Sequence, residues 1–183
     1  MSFRAGAAVL ACRTSQERVN VLCPRITPEE HTSMSVEENI SIMRRWYREV
    51  WRDRKNETIH ELIAADARLR GQNGPDQEVV GPEGFLEFAE RIRAAFPDTE
   101  VVIEDIFAAD DKVAVRWVAT GTHTGHGLGV PPSGKSLSVS GITIARIANG
   151  KIVEGWDNWD RLGMLEQIGL YKQPKTTNLP KSA

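Results

Sequence analysis

The Asn149-Gly150 pair constrains this chain more than any other feature. It sits between Gly141-Ile-Thr-Ile-Ala-Arg-Ile-Ala148 and Lys151-Ile-Val-Glu-Gly155, two runs rich in β-branched residues. Asn-Gly readily adopts the positive φ values that a two-residue hairpin turn requires, so the pair predicts two antiparallel strands in tight register. The second strand ends in Trp156-Asp157-Asn158-Trp159-Asp160, and Leu162, Leu165 and Ile168 follow at helical spacing. Two carboxylates and two indoles therefore gather where a strand leaves its sheet and a helix begins, a plausible setting for acid/base chemistry. Asp160 stands where a helix N-cap is wanted, a task to which Asp is well suited. Asp157 is a strand residue three positions earlier.

Upstream, Ser35 and Glu38 form a Ser-x-x-Glu capping box, and Val36, Ile40, Met43, Tyr47, Val50 and Trp51 repeat on one face of the helix it opens. A second, short helix is expected over 58–65, opened by Thr58 and Glu61, and a first strand over 66–71. Pro82 suits the first turn of a third helix, whose apolar stripe is Phe85, Phe88, Ala89, Ile92 and Phe96, and Pro97 stops it. Strands are then expected at 100–108, 112–122, 135–148 and 151–159, separated by Asp110-Asp111, a Gly/Pro-rich loop and Asn149-Gly150. Helices first and a run of antiparallel strands afterwards means α+β rather than alternating α/β.

The 141–169 block, taken with Gly121-Thr-His-Thr-Gly125 and Gly129-Val-Pro-Pro-Ser-Gly-Lys135 upstream, resembles the SnoaL-like polyketide cyclases. The motifs come in the family's order: the Gly-x-Pro-Pro-x-Gly-Lys loop, a strand ending in Asn149-Gly-Lys-Ile152, the Trp-x-x-x-Asp of Trp156 and Asp160, and Leu165-Glu-Gln-Ile-Gly169. The resemblance covers about residues 35–170, with an N-terminal extension at 1–34 and a C-terminal tail at 171–183. It implies a cone-shaped α+β barrel, a curved and mostly antiparallel sheet wrapped around three N-terminal helices with a short C-terminal helix, whose interior is the ligand pocket. It also implies intramolecular aldol ring closure of a polyketide ester, in which a carboxylate removes an α-proton and the acid reprotonates the new alkoxide. Carried over residue by residue, the family's general acid/base falls on Asp160. The residues themselves leave open whether Asp160 is only a cap and Asp157 the working acid.

Other motifs carry less. Gly129-Val-Pro-Pro-Ser-Gly-Lys-Ser136 spells the phosphate-cradling pattern Gly-x4-Gly-Lys-Ser, but such a loop must run into a helix N-terminus, and Leu137-Ser-Val-Ser-Gly-Ile-Thr-Ile144 alternates like a strand. Its two prolines also remove N–H donors. His123-Thr-Gly-His126 lacks a third ligand at metal-site spacing. No cofactor pattern, domain thiol or nucleophile elbow stands out, so neither metal nor cofactor is expected and proton transfer is the remaining chemistry. Trp117, Trp156 and Trp159 are candidates for stacking on a flat ring, Tyr47 for a hydroxyl in the pocket, and His123 for a polar wall. Arg70, with Arg68 and Arg116 as alternatives, is a candidate for an anionic substrate group. Core packing or solvent is the plainer account of each.

With 40% hydrophobic and 26% charged residues among 183, the chain fits one ordinary globular domain. A net charge of -2 gives no electrostatic footprint for nucleic acid, and no run approaches the roughly 18 apolar residues of a membrane span. Cys12 and Cys23 both precede the domain and point to a reducing cytosol, while Met1 to Cys12 only loosely imitates a lipoprotein leader. The expected protein is a cytoplasmic homodimer acting on a small hydrophobic, polyketide-like molecule. A cofactor-free isomerase, dehydratase or epoxide hydrolase on the same cone is one alternative; a non-enzymatic ligand-binding module is another.

Overall fold

The computed structural model describes residues 34–74 and 77–172, so the expectations for the N-terminal extension and for the tail past residue 172 fall outside the described residues. In chain order the elements are α1 (Val36–Trp46), a π-helical turn (Tyr47–Arg52), α2 (Asn56–Leu62), β1 (Ile63–Arg70), β2 (Glu78–Val80), α3 (Gly81–Ala95), β3 (Glu100–Ala109), β4 (Lys112–Thr122), β5 (Ser136–Ala148), β6 (Lys151–Trp159) and α4 (Arg161–Gln167). The strands form a single sheet in the order β2-β1-β6-β5-β4-β3. Only the β1/β6 pair is parallel. This is the α+β cone architecture, built on an open and mostly antiparallel sheet.

Local chemistry accounts for most boundaries. The α1 capping box is complete, with the Glu38 amide donating to Ser35 Oγ at 3.1 Å and the Ser35 amide to Glu38 Oε2 at 2.8 Å. Asn149 and Gly150 take φ values of 51° and 75°, which lets Ala148 pair directly with Lys151. Asp110, at φ 52°, begins the equivalent two-residue turn between Ala109 and Lys112. The second helix departs from expectation. Thr58 is no cap: it lies buried in the first turn of α2, where its hydroxyl donates to Glu49 Oε2 at 2.8 Å, and the chain passes into β1 already at Ile63. β2, a three-residue edge strand, was not foreseen.

The core lies between the helices and the sheet. Met43, Trp46, Tyr47 and Val50 from the first helix meet Phe85, Phe88 and Ala89 of α3 over Val113, Val115, Ala145, Ile147 and Ile152 of the sheet. Trp46 and Phe85 pack edge to face with ring centroids 4.8 Å apart. Each such large side chain contributes about 1.5–3 kcal/mol on burial. The π-helical turn widens the end of the first helix and carries Tyr47 and Trp51 toward the sheet.

One irregularity in the sheet matters for the site. Arg146 faces Glu154 and Ile147 faces Ile152, so β6 holds one extra residue, Val153, at a bulge. Past it, Gly155, Asp157 and Trp159 turn toward the helices, while Glu154, Trp156 and Asn158 point to the outer face. Among the described residues no helix is long and apolar enough to cross a membrane. Ser136, where a phosphate loop would need a helix to begin, instead opens β5.

Candidate active site

A cavity opens between α3, the first helix and the concave face of the sheet, with about 780 Å³ of atom-free space including its mouth. That is the size range of sites for drug-sized ligands. Its walls are chiefly aromatic and aliphatic, with Trp51, Phe88, Trp117 and Trp159 among them, and α4 supplies Met164. Its one ionisable acid is Asp157, and no basic side chain lines it among the described residues.

The polar groups around Asp157 form one connected set. The Thr143 hydroxyl, directly across on β5, donates to Asp157 Oδ1, and Gln72 Nε2 donates to Oδ2 at 2.8 Å. Trp117 Nε1 donates to Thr143 Oγ1 at 2.9 Å, and the Tyr47 hydroxyl lies 2.9 Å from the same oxygen. A hydroxyl carries one proton and accepts two bonds. The Thr143 proton is spent on Asp157, so Tyr47 must donate, and Thr143 is fully satisfied by two incoming bonds and one outgoing.

Backbone detail makes the set possible. A side chain at Gly141 would overlap the Trp117 indole, so its absence lets the ring lie flat over β5. At Gly71, φ is 92° and a Cβ would overlap the Asp157 carbonyl oxygen. Only glycine lets the chain leave β1 that close to β6, and the next residue, Gln72, is thereby delivered to the carboxyl. Trp159 Nε1 donates to the Gly71 carbonyl at 3.2 Å and holds this crossing in place.

Burial dominates the electrostatics. Removal from water raises the Asp157 carboxyl from an ordinary 3.8 to about 6, against the opposing effect of the hydrogen bonds from Thr143 and Gln72. Burial, and then the charge of Asp157, pushes the Tyr47 phenol well above its ordinary 10. Tyr47 therefore stays protonated, while Asp157 exchanges its proton near neutral pH.

Of the candidates from the sequence, Asp157, Tyr47, Trp117 and Trp159 come together on this cavity. Asp160 does not line it. It is the N-cap of α4, exposed, with Oδ1 accepting from the Gly163 amide at 2.7 Å. Arg70 and Trp156 also lie elsewhere, because strand alternation sends both to the outer face: the Arg70 guanidinium pairs with Glu78 at 2.6 Å and sits 5.7 Å from the Trp156 ring centroid. Arg68 pairs with the same Glu78, and Arg116 with Glu104, both at exposed positions. His123 is fully buried beside the cavity rather than on it, its Nδ1 accepting from the Ser133 amide at 3.3 Å and its ring tilted against Phe96. Among the described residues no three His, Cys, Asp or Glu side chains gather as metal ligands.

Thr143 and Gln72 escape sequence reasoning. Thr143 had a signal, as the hydroxyl among the otherwise nonpolar inward residues Gly141, Ala145 and Ile147. Gln72 had none, since its position follows from the Gly71 crossing.

The sequence pattern of the SnoaL-like polyketide cyclases matches residues 41–168. The aklanonic acid methyl ester cyclase DnrD of Streptomyces peucetius is 29% identical over 132 residues, which is 71% of this chain and 90% of the relative. The nogalonic acid methyl ester cyclase of Streptomyces nogalater is 31% identical over 49% of this chain and 68% of its own. Among solved structures, IdmH of Streptomyces antibioticus, described as a candidate polyketide cyclase, superposes with a TM-score of 0.63 at 35% identity, covering 72% of this chain and 98% of IdmH.

Proposed function

This chain belongs to the SnoaL-like polyketide cyclase family, and from that premise we propose that it closes a ring in a polyketide ester by cofactor-free proton transfer through Asp157. One observation carries this reading: the cavity's one ionisable acid is held in apolar surroundings by a fully satisfied hydroxyl and an amide. A carboxyl titrating near 6 is roughly nine-tenths ionised at pH 7, yet it is a far better base than an ordinary aspartate. Asp157 takes the α-proton of the bound ester. The resulting enolate carbon attacks a ketone carbonyl of the same molecule, and the new alkoxide recovers the proton from Asp157. Atoms balance without a co-reactant, and the Tyr47 and Thr143 hydroxyls are the neighbours available to meet the developing enolate oxygen. The flat walls of Trp117 and Trp159 suit fused rings, and the methyl esters in the names of two relatives set the substrate class to try first.

The molecule is proposed to act as a cytoplasmic homodimer. Val102, Ile142 and Ile144 lie on the outer sheet face at 53%, 49% and 40% exposure, and a second copy would cover them.

The test is turnover of aklanonic and nogalonic acid methyl esters by Asp157→Asn and Asp160→Asn proteins. Asp157→Asn is expected to reduce the rate by ~10²-fold or more. Asp160→Asn keeps the cap acceptor and should stay within about threefold of the parent. The opposite ranking would return the chemistry to Asp160 and overturn this assignment.

A further inference from the structure

A second recess adjoins the apolar cavity, with Phe88, Ile92, Trp159 and Met164 forming a partition that lines both. Its own lining is polar: Gln72, Asn73, Gln77, Arg91 and Arg161 surround about 760 Å³ of atom-free space including the opening. The two guanidiniums converge on one residue. Arg161 Nη1 donates to the Asn73 carbonyl at 2.8 Å and Arg91 Nη2 to the Asn73 side-chain oxygen. Arg91 also lies over the Phe88 ring, 5.8 Å from its centroid.

These contacts use one of the five N–H donors of each guanidinium. Among the described residues neither arginine comes within ion-pair distance of a carboxylate. A second observation is independent of the charges. Gln72 is only 4% exposed, its Nε2 is spent on Asp157, and its Oε1 has no hydrogen-bond partner among the described residues. A buried acceptor left open is uncommon, and it calls for a donor from whatever occupies the space. Two forked cations and one unanswered acceptor together describe an anion with a hydroxyl beside it.

We propose that this recess is a second substrate subsite, which holds a carboxylate-bearing arm through Arg91 and Arg161 and takes a hydrogen bond from an adjacent hydroxyl onto Gln72 Oε1. Resting on the assignment of the apolar cavity as the ring-binding site, it narrows the substrate class to hydroxylated ring systems that carry a free carboxylate. Gln72 then touches both ends of the molecule, the arm through its oxygen and the catalytic carboxyl through its nitrogen.

The test is equilibrium binding, which needs no turnover. The probes are 3-hydroxy-2-naphthoate, its methyl ester and 2-naphthyl phosphate, followed by calorimetry at low and high salt. The acid is expected to bind at least tenfold more tightly than the ester, and salt should erode that preference. Arg91→Gln/Arg161→Gln should bring acid and ester within about twofold of each other while leaving ester affinity unchanged. Arg91→Lys/Arg161→Lys keeps the charge and should retain part of the preference, which separates recognition from mere tethering of Asn73. Equal binding of acid and ester by the parent protein would overturn the subsite, and phosphate binding tenfold tighter than carboxylate would overturn its assignment to a carboxylate. Asp157→Asn should leave the preference for acid over ester intact, so failure of the proposed chemistry and failure of the subsite give different results.

Discussion

Replacing Asp157 by Asn should make the folded protein more stable, and only above a certain pH. In the unfolded chain an aspartate releases its proton near 4, whereas in the cavity the carboxyl holds it to about 6. Between those two values the folded state binds the extra proton, so stability falls as pH rises through that window and levels off above it. At about 1.4 kcal/mol per pH unit, keeping the carboxylate charged at pH 8 costs about 3 kcal/mol. Asn carries no charge, and its oxygen can still accept from Thr143 while its amide donates to the open Gln72 Oε1. Asp157→Asn is therefore expected to gain about 2–3 kcal/mol at pH 8 and close to nothing at pH 4. For a chain of this length that is a rise in Tm of roughly 5–10 °C at the higher pH. The assay is thermal unfolding of both proteins across pH 4–8, taking the difference at each pH so that other titrating groups cancel. A difference that does not change with pH, or that shrinks as pH rises, would refute the account of Asp157 as a strained, desolvated base.

Thr143→Val keeps the shape of the side chain but leaves Trp117 Nε1 and the Tyr47 hydroxyl without their shared acceptor and Asp157 without one donor. It should cost about 2–4 kcal/mol in chemical denaturation, and the acid limb of the pH-rate profile should move to higher pH. Gly71→Ala places a methyl on the Asp157 carbonyl at a positive φ, and should cost more than about 2 kcal/mol while lowering turnover through a displaced Gln72, readable by denaturation and kinetics on the same sample.

What is legible in the sequence is what short-range chemistry decides. The Ser35 box, the Asn149-Gly150 turn and the strands flanking it depend on neighbours within a few residues, and their boundaries fall within one or two residues of expectation. Thr58 misleads because two requirements compete for its hydroxyl, and Glu49, packed against it from the π-helical turn, takes precedence over capping. The site was half visible. Asp157, Tyr47, Trp117 and Trp159 announce themselves by residue type, but which strand residues look inward depends on Val153, and nothing in the local pattern marks it as an extra residue. That is why Trp156 and Arg70 read as pocket residues and face away from it. Gln72 depends on a close approach of two strands far apart in sequence, which no single-chain pattern records.

The Val153 bulge acts as a phase shifter for everything downstream of it. Counting by twos from inward Ile152 with no extra residue, Glu154 and Trp156 would look into the cavity and Asp157 would look out. One inserted residue thus exchanges two chemistries across a sheet: a salt-bridged, indole-bearing exterior and an acid-bearing interior. The strand is a two-track tape, and a single frame decides which track the pocket plays. Lineages that share this hairpin could gain or lose a buried acid by one codon's insertion or deletion, with no substitution at the acid itself.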